Sequence, residues 1–230
     1  MTPELSKEPI FDGIGYEPSE YSRSMFVVSK TDYDHSTYEN PNTDKNKKIL
    51  VVCTEERYMT MKNGKKFSTG NHPVETLVPM LHLEAAGFES EIFTPTGKPV
   101  ALEMWALPKE DEAVNGILKK YQSQFDKPKS LHGPAALLAA SLERSKDDFL
   151  YKGFKINSFP DIIDTQTPEI GYVPGEMPWF YGEKLEALGV EILNNEINGA
   201  CYTDRKLVSG DSPLAANNFG KMSAEVLLKN

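Results

Sequence analysis

The chain has little cysteine: its 230 residues include only Cys53 and Cys201, far apart and inside or beside apolar runs. That scarcity excludes a disulfide framework and fits buried thiols in a reducing compartment. No stretch approaches the about 18 apolar residues of a spanning helix, and Met1-Thr2-Pro3-Glu4-Leu5 shows no basic segment leading into an apolar one. A cytoplasmic location without a membrane partner is expected. Positive charge is also short, with 25 Lys and Arg against 34 Asp and Glu and a net charge of −9. A nucleic-acid partner needs clustered cations on one face, and Lys45, Lys47 and Lys48 read instead as the solvated edge of a strand. No Gly-X-Ser-X-Gly elbow occurs, and Gly210-Asp211-Ser212-Pro213 reads as a turn and helix cap. No Gly-X-Gly-X-X-Gly follows the first strand, which excludes the dinucleotide fingerprint.

What is present suits a packed α/β chain, with 39% hydrophobic and 26% charged residues. Residues 1–47, rich in Tyr, Ser, Asp, Asn and Pro, read as an N-terminal extension anchored by Tyr16, Tyr21 and Phe26. Residues 48–230 read as the α/β domain. Within it, Lys48 to Cys53 is a continuous apolar run, expected as a parallel strand buried on both faces. Pro73 and Glu75 open a helix that Gly87 stops, and Ser90 to Thr94 is a second strand. Val114, Ile117, Leu118, Tyr121 and Phe125 form the stripe of a helix over 110–125. Further on, helices are expected over 134–142, 179–188 and 214–228, and strands over 154–159 and 190–193. Alternating strands and helices imply a sheet covered on both faces.

One string breaks this order. His132-Gly133-Pro134-Ala135-Ala136 is the helical half of a nucleophile elbow, a strained turn that holds a reactive side chain over a helix N-terminus. What precedes it, Phe125-Asp126-Lys127-Pro128-Lys129-Ser130, is too charged and Pro-containing for a buried central strand. With Ser68-Thr69-Gly70-Asn71-His72-Pro73-Val74-Glu75-Thr76, Trp105-Ala106-Leu107-Pro108, Phe159-Pro160-Asp161, Gln166-Thr167-Pro168-Glu169-Ile170-Gly171-Tyr172 and Asp204 to Pro213, this string resembles the 31-kDa heat-shock class of the PfpI-like superfamily. The resemblance implies a flavodoxin-like, doubly wound sheet of the class I glutamine amidotransferase-like type. It also implies a glutathione-independent glyoxalase III that converts methylglyoxal to D-lactate, described too as a deglycase and as a holding chaperone. The implied partners are a small aldehyde or glycated protein, unfolded clients and a second copy in a homodimer.

In that family a Cys precedes the His of His-Gly-Pro, and a Gly-Gly-His turn supplies oxyanion donors. Here Leu131 stands before His132, and no Gly-Gly dipeptide occurs. A parallel strand with its crossover takes roughly 30 or more residues, so one βαβ unit is missing near 130–131. Either the sequence is incomplete or the deletion is genuine, and the folding cost of removing a central strand favours incompleteness.

By motif position His132 matches the triad His, Asp164 the acid that orients it, and Glu75 the acid beside the thiol. Each residue also has an ordinary structural use: His132 as a helix cap, Asp164 as an Asx cap, and Glu75 as a favourable charge in a first helical turn. Cys53 and Cys201 are poor substitute nucleophiles, because apolar surroundings raise a thiol's pKa. The family's two-histidine, one-carboxylate metal site falls on Glu84, Glu89 and Tyr121, which lack the imidazoles zinc prefers. No metal and no cofactor are therefore expected. The literal chain is expected to be inactive, leaving a holdase or a catalytically dead paralogue as the alternatives.

Overall fold

The computed structural model describes residues 4–131 and 149–229. His132 and the expected helix over 134–142 lie outside them. The organising element is a parallel sheet in which β3 (Lys48–Val52) pairs with β6 (Glu89–Thr94) in the register Lys48 to Glu89 through Val52 to Phe93. Cys53 extends the ladder through its N–H to the Phe93 carbonyl, at 2.8 Å.

Two helices cover one face of this sheet. The first, α2 (Pro73–Ala85), starts at Pro73, whose missing N–H costs nothing in a first turn. The second, α3 (Glu112–Asp126), is capped by Asp111, which accepts from the Val114 amide at 3.0 Å and from the Thr31 amide and hydroxyl at 2.9 and 2.6 Å. All five stripe residues of α3 are buried, as the spacing predicts, in one cluster with Val74, Leu77, Val78, Ile92 and Cys53. Fully burying such a side chain contributes about 1.5–3 kcal/mol.

A last helix, α6 (Ala216–Leu228), packs on α2 at Gly220, where a Cβ would run into His82 and Pro79. Buried His82 fixes that contact. Its Nε2 lies 2.8 Å from Asn217 Oδ1 and its Nδ1 3.1 Å from the Tyr38 hydroxyl.

A small sheet lies beside this unit in the order β1 (Ile10–Phe11), β2 (Tyr16–Glu17), β5 (Lys66–Ser68), β4 (Tyr58–Thr60). Following β2, α1 (Glu20–Phe26) is capped by Ser19, whose hydroxyl accepts from the Ser22 amide at 3.1 Å. The later part of the chain adds β8 (Lys155–Ile156), α4 (Asp161–Gln166), α5 (Tyr181–Ala187) and β9 (Glu191–Ile192), with β8 and β9 parallel. It also adds an antiparallel hairpin of β10 (Cys201–Asp204) and β11 (Leu207–Gly210).

Three expectations from the sequence need correction. Residues 48–53 form the expected strand, but it is not buried on both faces: Leu50 and Val52 are 49% and 53% exposed, while Ile49 and Val51 pack inward. Among the described residues β3 has a neighbour on one edge only and helices on one face only. The strand over 154–159 shrinks to Lys155–Ile156, paired only with β9. Ahead of His132, Lys129–Ser130 forms a short strand, β7, beside β6 with both residues exposed, in keeping with a segment too charged for a buried central strand. Asp211 does not cap the last helix; it is buried and accepts from the amides of Asn198 and Ala200, both at 2.9 Å, to close the loop before β10.

The open edge and face of β3 offer unpaired backbone groups beside exposed apolar side chains, a combination that favours association. Expressed alone, the 230-residue chain is expected to sediment as a mixture of associated species and to bind a dye specific for apolar surface. A monomer with a sharp, cooperative melt would show that the fold closes without another strand at β3.

Candidate active site

Three acidic side chains converge beyond the C-terminal end of β3, where open α/β sheets place their ligands. Glu75 comes from the first turn of α2, Glu103 from the segment entering a 3-10 turn (Met104–Ala106), and Asp164 from α4. The three share one neighbour, half-buried Tyr172, whose phenol pKa is raised well above its ordinary value by desolvation and then by the charges of Glu103, Glu75 and Asp164. Around the Tyr172 ring stand Trp105 and Phe67, each at 5.8 Å between centroids, and Phe26 at 5.9 Å. This aromatic wall excludes water from one side of the cluster, which penalises every charge beside it.

Glu103 is 6% exposed. Desolvation pushes its carboxyl up to about 7, and the Glu75 charge adds to the push, against the Thr69 hydroxyl, which donates to Oε1 at 2.9 Å, the Gly70 amide and the Arg57 charge. Arg57 is held by donating to the Leu102 carbonyl. Gly70 is required at its position because a Cβ would collide with the Ala101 carbonyl.

Glu75 is different: the residue is exposed to solvent although protein packs closely around its carboxyl. Desolvation raises its carboxyl to about 7, and the solvent that reaches it tempers that rise. The upward direction means that desolvation outweighs the helix dipole, which contributes only about 0.3–1 kcal/mol in favour of the anion.

The two aspartates of Phe159 to Asp164 have separate tasks. Asp161 accepts from the Gly182 and Glu183 amides, both at 2.8 Å, and so caps α5. Asp164 is half-buried, and its carboxylate meets no hydrogen-bond donor among the described residues. Burial, with the Asp161 charge, raises it to about 6. Asp164 therefore makes no Asx-type cap among the described residues, and Asp161 caps a helix remote in sequence.

His72, at the N-cap of α2, is held neutral by burial, which lowers its imidazole to about 4, and its buried Nδ1 has no hydrogen-bond partner among the described residues. Its ring meets Trp105 edge-on at 6.5 Å.

The sequence reading missed Glu103, Tyr172 and His72 as site residues. Glu103 carried a signal, a lone carboxylate inside the apolar run Ala101-Leu102-Glu103-Met104-Trp105. Neither thiol is poised as a nucleophile: Cys53 is 3% exposed, and burial pushes it and Cys201 up to about 11. At the metal-site positions, the Glu84 carboxylate pairs with Lys120 Nζ at 2.5 Å and the Tyr121 hydroxyl accepts from the Ser90 amide at 3.2 Å.

The fold has the class I glutamine amidotransferase-like architecture of PfpI-type and glyoxalase III proteins. The Francisella tularensis Rapid Encystment Protein 24 KDa superposes with a TM-score of 0.61 at 14% identity, over 79% of this chain and 99% of that one. A glyoxalase III from Candida albicans superposes with a TM-score of 0.51 at 17% identity, over 78% and 96%. No family model matches the chain.

Curated relatives go further. The protein/nucleic acid deglycase HchA of Pseudomonas aeruginosa (strain UCBPP-PA14) is 42% identical over 92% of this chain and 91% of its own. Protein/nucleic acid deglycase 1 of Escherichia coli (strain K12) is 38% identical over 99% and 98%. The chain belongs to the HchA deglycase family. The two alignments run over 266 and 283 positions, more than the 230 residues available, so these relatives carry interior residues with no counterpart here.

The buried acid gives a pH test. A carboxyl whose folded pKa is raised from 4.5 to about 7 binds its proton more tightly in the folded state, so its contribution is complete below about 4.5 and is lost as pH rises through 7. Glu103→Gln keeps an acceptor for Thr69 without the charge. It is expected to gain up to about 3 kcal/mol relative to the parent between pH 5 and pH 8, measured by urea unfolding. A difference independent of pH would mean that Glu103 titrates normally.

Proposed function

We propose that the chain carries the acid–base half of a glyoxalase III/deglycase site whose nucleophile lies in the interior segment it lacks. The observation that carries this reading is the convergence of Glu75, Glu103 and Asp164 on Tyr172, with desolvated carboxyls poised to exchange protons near neutrality. In the complete site a thiolate adds to an aldehyde carbon, His132 relays the proton, Asp164 orients the imidazole, and Glu75 passes a proton beside the thiol. Its substrates are methylglyoxal, converted to D-lactate, and glycated protein. The protein is cytoplasmic and homodimeric, with residues 1–47 as an extension to the domain at 48–230.

Holding unfolded clients is a second reading. It is favoured by the exposed apolar side chains Leu50 and Val52 on the sheet and Phe11 and Ile14 at its N-terminal neighbour.

The 230-residue chain is expected to consume methylglyoxal no faster than buffer alone, because no thiol of suitable pKa is present. Lactate formation that Cys53→Ser abolishes would make Cys53 the nucleophile and overturn the assignment. In a chain restored with the family's interior segment, Asp164→Asn is expected to lower turnover by about 10²-fold or more with the fold intact, since an amide cannot stabilise the protonated imidazole. Turnover within a few fold of the parent would move that role to another carboxylate.

A further inference from the structure

A pocket of about 360 Å3 lies toward the N-terminal end of the sheet, away from the acid cluster, between β6 and the last turns of α3. β7 pairs only with Phe93 and Thr94, so among the described residues the outer edge of β6 from Glu89 to Ile92 has no strand beside it. Side chains of α3 take that place. The Tyr121 hydroxyl accepts from the Ser90 amide at 3.2 Å, and Gln124 Oε1 accepts from the Ile92 amide at 3.1 Å.

Those bonds set the chemistry of the wall. With Oε1 committed to Ile92, the Nε2 end of half-buried Gln124 holds two N–H donors that meet no acceptor among the described residues. The hydroxyl of Ser90, a residue 2% exposed, has no partner among them either. Four lysines complete the lining: Lys48 from β3, Lys120 and Lys127 from α3 and its C-cap, and Lys129 from β7. Lys48 and Lys129 share one carboxylate, Glu91, at 3.1 and 2.7 Å, and Lys120 pairs with Glu84. Lys127 Nζ meets no partner among the described residues.

These features select among ligand classes. A cation finds Glu84 and Glu91 already paired, and the remaining lining carboxylate, Glu89, lies 3.9 Å from Lys48. An apolar group would strip water from the lysines without returning a partner. A multiply charged oxyanion accepts from Lys127 and Gln124 and shares Lys48 and Lys129 with Glu91, the point-charge use of lysine toward phosphate. The negative end of the α3 dipole opposes such an anion, but it fades within one turn and Lys127 stands at that C-cap.

We infer that this pocket binds a phosphate group, as the free ion or as a small phosphomonoester. The inference needs neither the nucleophile nor the aldehyde chemistry of the other site.

The test titrates the 230-residue chain with inorganic phosphate and with glycerol 3-phosphate at constant ionic strength, read by 31P line broadening, which tolerates an associated protein. Saturable binding is expected, and the tighter of the two ligands shows whether the pocket takes the bare ion or an ester. Lys127→Gln and Lys129→Gln are each expected to weaken binding by about twofold or more, and together by about fourfold or more. Lys206→Gln, in the turn between β10 and β11, is expected to leave it unchanged. All three lysines are exposed, and circular dichroism checks that each variant keeps its fold. Absence of saturable binding for both ligands overturns the inference, as does unchanged affinity in the Lys127→Gln, Lys129→Gln double variant. An equal loss in Lys206→Gln also overturns it, because binding would then be the general pull of surface charge.

Discussion

The parallel pairing of β3 with β6 is the interaction on which the rest of the structure depends. Its five paired positions fix where β3 ends, and so where Cys53, Thr54 and the loop to β4 begin. The buried residues Ile92, Val114 and Leu77 then fix α2 and α3 against one face. Because Glu75 sits in the first turn of α2, its place follows from that packing rather than from any contact of its own. The same ladder explains the weakness at Leu50 and Val52, since a strand with one paired edge and one covered face leaves the rest of its groups in water.

The candidate site is an electrostatic consequence of this arrangement. Three carboxyls arrive from three distant stretches of sequence around the aromatic wall of Trp105, Phe67, Phe26 and Tyr172, and water is kept most fully from Glu103, which is buried, while Glu75 still meets solvent. Burial does most of the tuning, and at Glu103 the Glu75 charge adds to it. The donors from Thr69 and Gly70 show that the cost of burying Glu103 is offset only in part.

Much of the fold was legible because its signals are local. The α3 stripe repeats at helical spacing within one segment, and all five of its residues are buried. The start of α2 at Pro73 is likewise local chemistry, while the fold class and family were legible from strings such as Ser68 to Thr76. The openness of β3 was not legible from its own residues, since Ile49-Leu50-Val51-Val52 reads as buried whether or not a neighbour exists. Tyr172 was visible only as part of a family string, because its role depends on carboxylates remote in sequence. The two aspartates at 161 and 164 needed coordinates to separate them. Only the hydrogen bonds to the amides of α5 identify Asp161 as the cap. His132 lies outside the described residues, so its part in the site rests on motif position.

The central claim is that the site keeps its acids while the chain holds no thiol able to act as nucleophile. The most direct measurement is the pH dependence of alkylation of Cys53 and Cys201 by iodoacetamide, followed peptide by peptide by mass spectrometry. The account predicts slow labelling at neutral pH that rises with apparent pKa values near 11 at both positions. Rapid, stoichiometric labelling of either cysteine at pH 7, with an apparent pKa below 7, would contradict it.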